Sequence, residues 1–147
     1  MRIDVITERL IHWPITSVAS YAADPSNAPE WYANIDSVEW LTEPPVQVGS
    51  RMAFVARFLG RRLSYTYEII EFEVGCRLVM RTTQGPFPME TTYTWAPTPE
   101  GATTMTLRNR GEPAGFSRAV APLMVPAMRR ANRNDLSRLE AVLECRP

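Results

Sequence analysis

Two neighbouring stretches decide the fold: Met52-Ala53-Phe54-Val55-Ala56-Arg57-Phe58 and Leu63-Ser64-Tyr65-Thr66-Tyr67-Glu68-Ile69. Successive side chains of a strand point to opposite faces. Met52, Phe54, Ala56 and Phe58 therefore share one face. Leu63, Tyr65, Tyr67 and Ile69 share another, with Ser64, Thr66 and Glu68 turned away. Gly60-Arg61 lies between the two stretches, where a short hairpin loop belongs. The same alternation recurs along the middle of the chain and predicts strands over 35–43, 50–59, 62–73, 77–84, 88–96 and 102–111. Gly75-Cys76, Gly85-Pro86 and Glu100-Gly101 sit at the joins. Strands joined this closely form an antiparallel meander, because parallel neighbours need long crossovers.

Outward from this centre the pattern changes. Residues 2–12 are rich in Ile, Val, Leu and Thr and predict a further strand, stopped by Trp13-Pro14. Pro14 suits the first turn of a helix over 14–22. Asp24-Pro25-Ser26-Asn27 breaks it, and a second short helix carrying Trp31 follows over 27–33. Towards the C-terminus, Phe116, Val120, Leu123, Met124, Ala127, Met128, Ala131, Leu139, Val142 and Leu143 recur at three- and four-residue spacing. They predict one long helix over 116–144 with a single apolar stripe. Pro122 and Pro126 fall in its first half and predict a kink or a late start. The order is strand, two short helices, six strands and a long helix, an α+β arrangement. The stripe must be buried, and the sheet is the only large partner for it. A sheet curled around the helix leaves a space suited to a small apolar ligand.

The chain has 147 residues, which fits one domain over 1–147. Sixteen basic and 16 acidic residues cancel. That balance removes the electrostatic case for nucleic acid and weakens any polybasic membrane anchor. No apolar run approaches the ~20 residues of a membrane span. The charged N-terminus lacks an apolar signal core, so a cytoplasmic protein without an integral membrane segment is expected. Cys76 and Cys145 are read as two reduced thiols. With one histidine, His12, and no Cys-x-x-Cys, no metal site is expected. The glycines occur singly, with no phosphate loop or dinucleotide fingerprint, so no cofactor is expected.

Parity names the residues that would line the space. Beside Phe54, Phe58, Tyr65 and Tyr67, the inward set holds Met80, Met89, Thr91, Tyr93, Trp95, Met105, Leu107 and Asn109. Met124 and Met128 come from the helix stripe, and Trp31 is either a packing anchor or a ligand contact. Methionine and tyrosine suit a wall that adapts to a guest and offers a polar tip, although they can equally fill a core. Asn109, if buried, must bond a nearby hydroxyl or meet a ligand. Arg57 and Glu90 fall on the opposite face, where an exposed ion pair is the better reading. Arg81 is also opposite unless a bulge reverses it. The helix arginines Arg129, Arg130, Arg133 and Arg138 form a solvated face or a partner surface.

In order along the chain, Ile11 to Pro14, Val18, Asp24 to Trp31, Val48-Gly49-Ser50, Gly60-Arg61, Glu68-Ile69-Ile70-Glu71-Phe72, Arg77-Leu78, Gly101-Ala102-Thr103, Pro122-Leu123 and the Leu136 to Glu144 ending form a pattern. The pattern resembles the polyketide cyclase/dehydrase-like branch of the SRPBCC superfamily, whose helix-grip fold is shared with START domains and birch-pollen-allergen-like proteins. The resemblance implies a seven-stranded curved antiparallel sheet wrapped around the long C-terminal helix, with an internal cavity. Fold alone does not deliver function. The first reading is a protein that binds a small hydrophobic molecule, such as a lipid, a sterol or an aromatic polyketide. It would do so through Trp31, Phe54, Phe58, Tyr65, Tyr67, Met80, Tyr93, Met105, Asn109, Met124 and Met128. The alternative is a cofactor-independent cyclase or dehydratase in which Tyr65, Tyr67 and Asn109 polarise carbonyls. A third reading is an interaction module working through the helix arginines.

Overall fold

A computed structural model describes residues 2–112 and 121–145. Seven strands form one antiparallel sheet: β1 (Ile3–Ile11), β2 (Ile35–Trp40), β3 (Arg51–Phe58), β4 (Arg61–Glu73), β5 (Arg77–Gln84), β6 (Met89–Pro97) and β7 (Thr103–Gly111). Their order is β1-β7-β6-β5-β4-β3-β2, so the predicted meander is intact and β1 closes it against β7. Helix α1 (Ile15–Ala23), a 3-10 turn (Pro25–Asn27) and helix α2 (Ala28–Trp31) link β1 to β2. Helix α3 (Ala121–Glu144) follows the sheet. Residues 116–120 of the predicted helix lie outside the described residues. Pro126 sits inside α3, where its missing N–H removes one helical hydrogen bond.

Local chemistry sets these boundaries. Pro14 stands at the N-cap of α1, and its carbonyl accepts from Ser17 and Val18. Asp24 Oδ1 accepts from the Ser26 N–H at 3.0 Å and caps the 3-10 turn. Leu59 and Gly60 both have positive φ, 50° and 76°. Two such residues make the tight turn whose twist matches a β3–β4 hairpin. The register of β4 on β5 shifts between Ile69 and Glu71. That bulge reverses parity, so Ile69 and Phe72, three residues apart, both pack on the core.

The core has two parts. The larger joins α1 and Trp31 to the sheet and to Leu136, Leu139 and Leu143 of α3. The smaller gathers Ile3, Val5, Phe87, Met89, Met124 and Met128. A polar clamp fastens α3 to the end of β1. Glu140, only 6% exposed, accepts from Arg9 Nη2 at 2.9 Å through Oε1 and from the His12 backbone N–H at 2.8 Å through Oε2. His12 Nδ1 lies 3.1 Å from the same Oε2. Burial opposes the charge on Glu140, but the His12 N–H and Arg9 outweigh it and hold the pKa below the usual glutamate value. The clamp therefore stabilises the fold above the unfolded-state pKa and is lost as pH falls through the lower folded value. Glu140→Ala leaves the His12 N–H without its acceptor and is expected to cost about 1–3 kcal/mol in urea unfolding near neutral pH. An unchanged midpoint would show that the clamp adds nothing.

Candidate functional site

Between sheet and helix lies a pocket of about 150 Å³ whose wall takes residues from both parts of the core. It exists because small side chains stand where large ones would have filled it: Ala22 and Ala23 from α1, Ala28 from α2, Ala56 from β3 and Ala131 from α3. Gly85, at the end of β5, lets the Tyr65 ring lie close, since a Cβ there would come within 2.6 Å of the ring.

Eight of the eleven residues expected at the ligand line this pocket: Phe54, Phe58, Tyr65, Tyr67, Met80, Tyr93, Asn109 and Met128. Trp31, Met105 and Met124 do not. Each has 0% exposure and is surrounded by core side chains. Alternation gives the face on which a side chain lies, not its distance from the pocket. Trp31 packs behind the wall, its ring 4.1 Å from that of Tyr32 and 5.7 Å from that of Tyr93. Arg57, at the pocket's edge, and Glu90 are both ion-paired, but not to each other. Arg57 Nε donates to Asp36 at 2.9 Å, and Arg110 Nη2 donates to Glu90 at 2.6 Å. Arg81 is exposed. Arg138 Nη2 donates to the Glu30 carbonyl at 3.0 Å, which ties α3 to α2.

Two polar groups lie on the otherwise apolar wall. On the sheet side, Thr91 Oγ1 donates to Asn109 Oδ1 at 2.7 Å, so Asn109 bonds a neighbouring hydroxyl. Tyr67 belongs to the same group. Burial pushes its phenol up to about 12, with hydrogen bonding to Thr91 pulling the other way. Tyr65 is raised as well, by burial first and then by Tyr67. Phenols that hold their protons this firmly can donate hydrogen bonds and are poor bases at neutral pH.

Of the second group, the sequence pointed only to Tyr93 and missed Tyr32, Asn132 and Asp135. Tyr32, just after α2, meets Tyr93 hydroxyl to hydroxyl at 2.6 Å. Burial raises both phenols. Asn132 and Asp135 of α3 also line the pocket, 4% and 2% exposed. Asp135 Oδ1 accepts from the Ala33 N–H at 3.0 Å. Burial nevertheless pushes its carboxyl up to about 6, against the pull of that N–H and of Arg138. Met128, Ala131, Asn132 and Asp135 follow one another at i, i+3, i+4 and i+7, so one helix face lines the pocket and its second half is polar. The signal was present in the sequence as two polar residues on an apolar stripe.

Among the described residues, no three His, Cys, Asp or Glu side chains could together hold a metal ion. None of the described helices is long and apolar enough to cross a membrane. Cys76 and Cys145 are free and exposed.

The sequence model of the family described as "Polyketide cyclase / dehydrase and lipid transport" matches residues 2–144. The chain belongs to that family. Its members' helix-grip architecture is the one seen here, and solved structures share it. TTHA0849 from Thermus thermophilus is 23% identical, with a TM-score of 0.82 over 96% of this chain and 97% of that one. The Zhui aromatase/cyclase from Streptomyces sp. R1128 is 14% identical, with a TM-score of 0.83 over 98% and 94%. A START superfamily protein from Mycobacterium smegmatis is also 14% identical, with a TM-score of 0.79 over 97% of each chain. At these identities the likeness is one of fold. No curated protein matches the chain in sequence.

Proposed function

We propose that this family member, acting as one domain over 1–147, binds a small hydrophobic molecule in the pocket between sheet and α3. The observation that carries the reading is the wall itself: apolar and tyrosine side chains from both parts of the core surrounding about 150 Å³. An apolar space of roughly that volume accepts one benzene ring. The reading therefore favours single-ring guests within that space; a sterol or a long acyl chain would have to extend beyond it or part the wall. The family's description and the fold shared with an aromatase/cyclase support a hydrophobic guest.

Thermal shift and NMR titration with p-xylene, p-cresol, naphthalene and decanoic acid test it. The one-ring compounds are expected to raise the melting temperature and to shift signals of Phe54, Tyr67 and Met128. Ala131→Phe, which places a ring on the wall, should abolish both effects. If no compound in the panel binds, the reading fails.

A second reading, cyclase or dehydratase activity, is favoured by Tyr65, Tyr67 and Asn109 lying on one wall. Protonated phenols there could polarise a carbonyl. Turnover of a poly-ketone substrate that disappears in Tyr67→Phe, with folding intact, would support it; turnover unchanged in Tyr65→Phe, Tyr67→Phe and Asn109→Ala would exclude it.

A further inference from the structure

The helix side of the pocket carries an unused hydrogen-bonding pair. Asn132 is buried on the pocket wall, and its Nδ2 has no hydrogen-bond partner. A buried donor left unmatched is costly and rare, so its persistence calls for a reason. Asp135 stands three residues further along α3, about one turn, and also lines the pocket. Among the described residues only its Oδ1 is engaged, by the Ala33 N–H. The pocket lining thus includes a buried donor without a partner and, about one helical turn away, a carboxylate with a second oxygen, at the edge of a tyrosine-rich apolar surface.

We propose that Asn132 and Asp135 form a polar pole that binds the hydroxyl group of a small phenol or aromatic alcohol. The inference rests on the ligand-binding reading above and specifies its guest. The hydroxyl oxygen accepts from Asn132 Nδ2, while the hydroxyl proton is donated to Asp135 Oδ2. Other head groups match less well. A carboxylate guest would face the negative charge of Asp135. An ammonium group would satisfy Asp135 and confront the Asn132 N–H. A ketone or ether would satisfy Asn132 and leave Asp135 without a donor. A hydroxyl is both acceptor and donor and serves both residues at once. Its ring would then lie among the apolar and tyrosine side chains of the wall.

A matched pair of probes tests this. p-Xylene and p-cresol are nearly isosteric and differ by a methyl in place of a hydroxyl. Hydrophobicity alone favours p-xylene, since water holds the phenol back. Calorimetric or NMR titration of the wild-type protein is expected to show p-cresol binding more tightly. Asn132→Leu should weaken p-cresol by roughly five- to tenfold and leave p-xylene unchanged or tighter. Asp135→Asn, which can still accept from Ala33, should likewise reduce the preference. Melting curves establish that each variant folds, and Asn132→Ala replaces Asn132→Leu if the latter does not. Tighter binding of p-xylene than of p-cresol to the wild-type protein overturns the polar pole while leaving the ligand-binding reading intact. A p-cresol preference that survives both substitutions also overturns it. Failure of both probes to bind removes the pole and the ligand-binding reading together.

Discussion

Asp135→Asn is expected to stabilise the protein by about 2–3 kcal/mol at about pH 8 and to have no effect at about pH 3.5. The carboxyl of Asp135 ordinarily titrates near 3.8 and is pushed up to about 6 in the folded chain, chiefly by burial. The folded state therefore holds this proton more tightly than the unfolded state does. As pH rises from about 4 to about 6 the unfolded chain ionises first and stability falls; above about 6 the whole penalty is in place. Below about 4 the group is protonated in both states and asparagine gains nothing. The substitution keeps an acceptor for the Ala33 N–H, removes the charge and puts an amide N–H2 in place of the second oxygen. The groups around it, Tyr32, Tyr93 and Arg138, remain. Urea unfolding of both proteins at the two pH values checks the prediction. Equal midpoints at about pH 8, or the same gain at both pH values, would show that Asp135 is not destabilised by its surroundings. A group held at such a cost on a pocket wall is a candidate for function, because stability alone would select against it.

The second large effect concerns how α3 lies on the sheet. Met124 is fully buried with Ile3, Val5, Phe87, Met89 and Met128. Met124→Asp would place a charge among these side chains with no partner, at a cost of roughly 3–5 kcal/mol after relaxation. Met124→Leu nearly conserves volume and should cost less than about 1.5 kcal/mol. Denaturant midpoints of the two variants decide the matter. If the aspartate variant is as stable as the leucine variant, Met124 does not face the smaller core and the helix is rotated from the position described.

These expectations draw on features of unequal legibility in the sequence. The meander could be read because alternation and single glycines mark every hairpin, and neighbours in sequence become neighbours in the sheet. The bulge at Ile69 and Glu71 could not, because an extra residue in one strand is defined only by its partner strand. The second strand was expected to run to residue 43 but ends at Trp40, ahead of the Pro44-Pro45 pair. At the pocket, parity found the correct faces of β3, β4, β6 and β7. It also put Met105 on the wall, although the residue lies within the larger core. Met124 lies as deep in the smaller core, and Trp31 packs behind the wall as the anchor that was one of its two readings. Tyr32 escaped because it follows α2, outside the strands where alternation assigns a face, and Asn132 and Asp135 because only apolar positions were taken from the helix stripe. Steps of four residues from Met128 and from Ala131 would have reached the last two.

The five alanines on the pocket wall carry a consequence of their own. They come from four different elements, and each stops one carbon beyond the backbone, so the outline of the hollow is set by what the side chains omit. Lengthening any one of them would reshape the guest's berth from a different direction while the hydrogen-bonded frame stays as it is. The same scaffold can thus be refitted to molecules of another girth through single-residue steps, without redrawing the backbone.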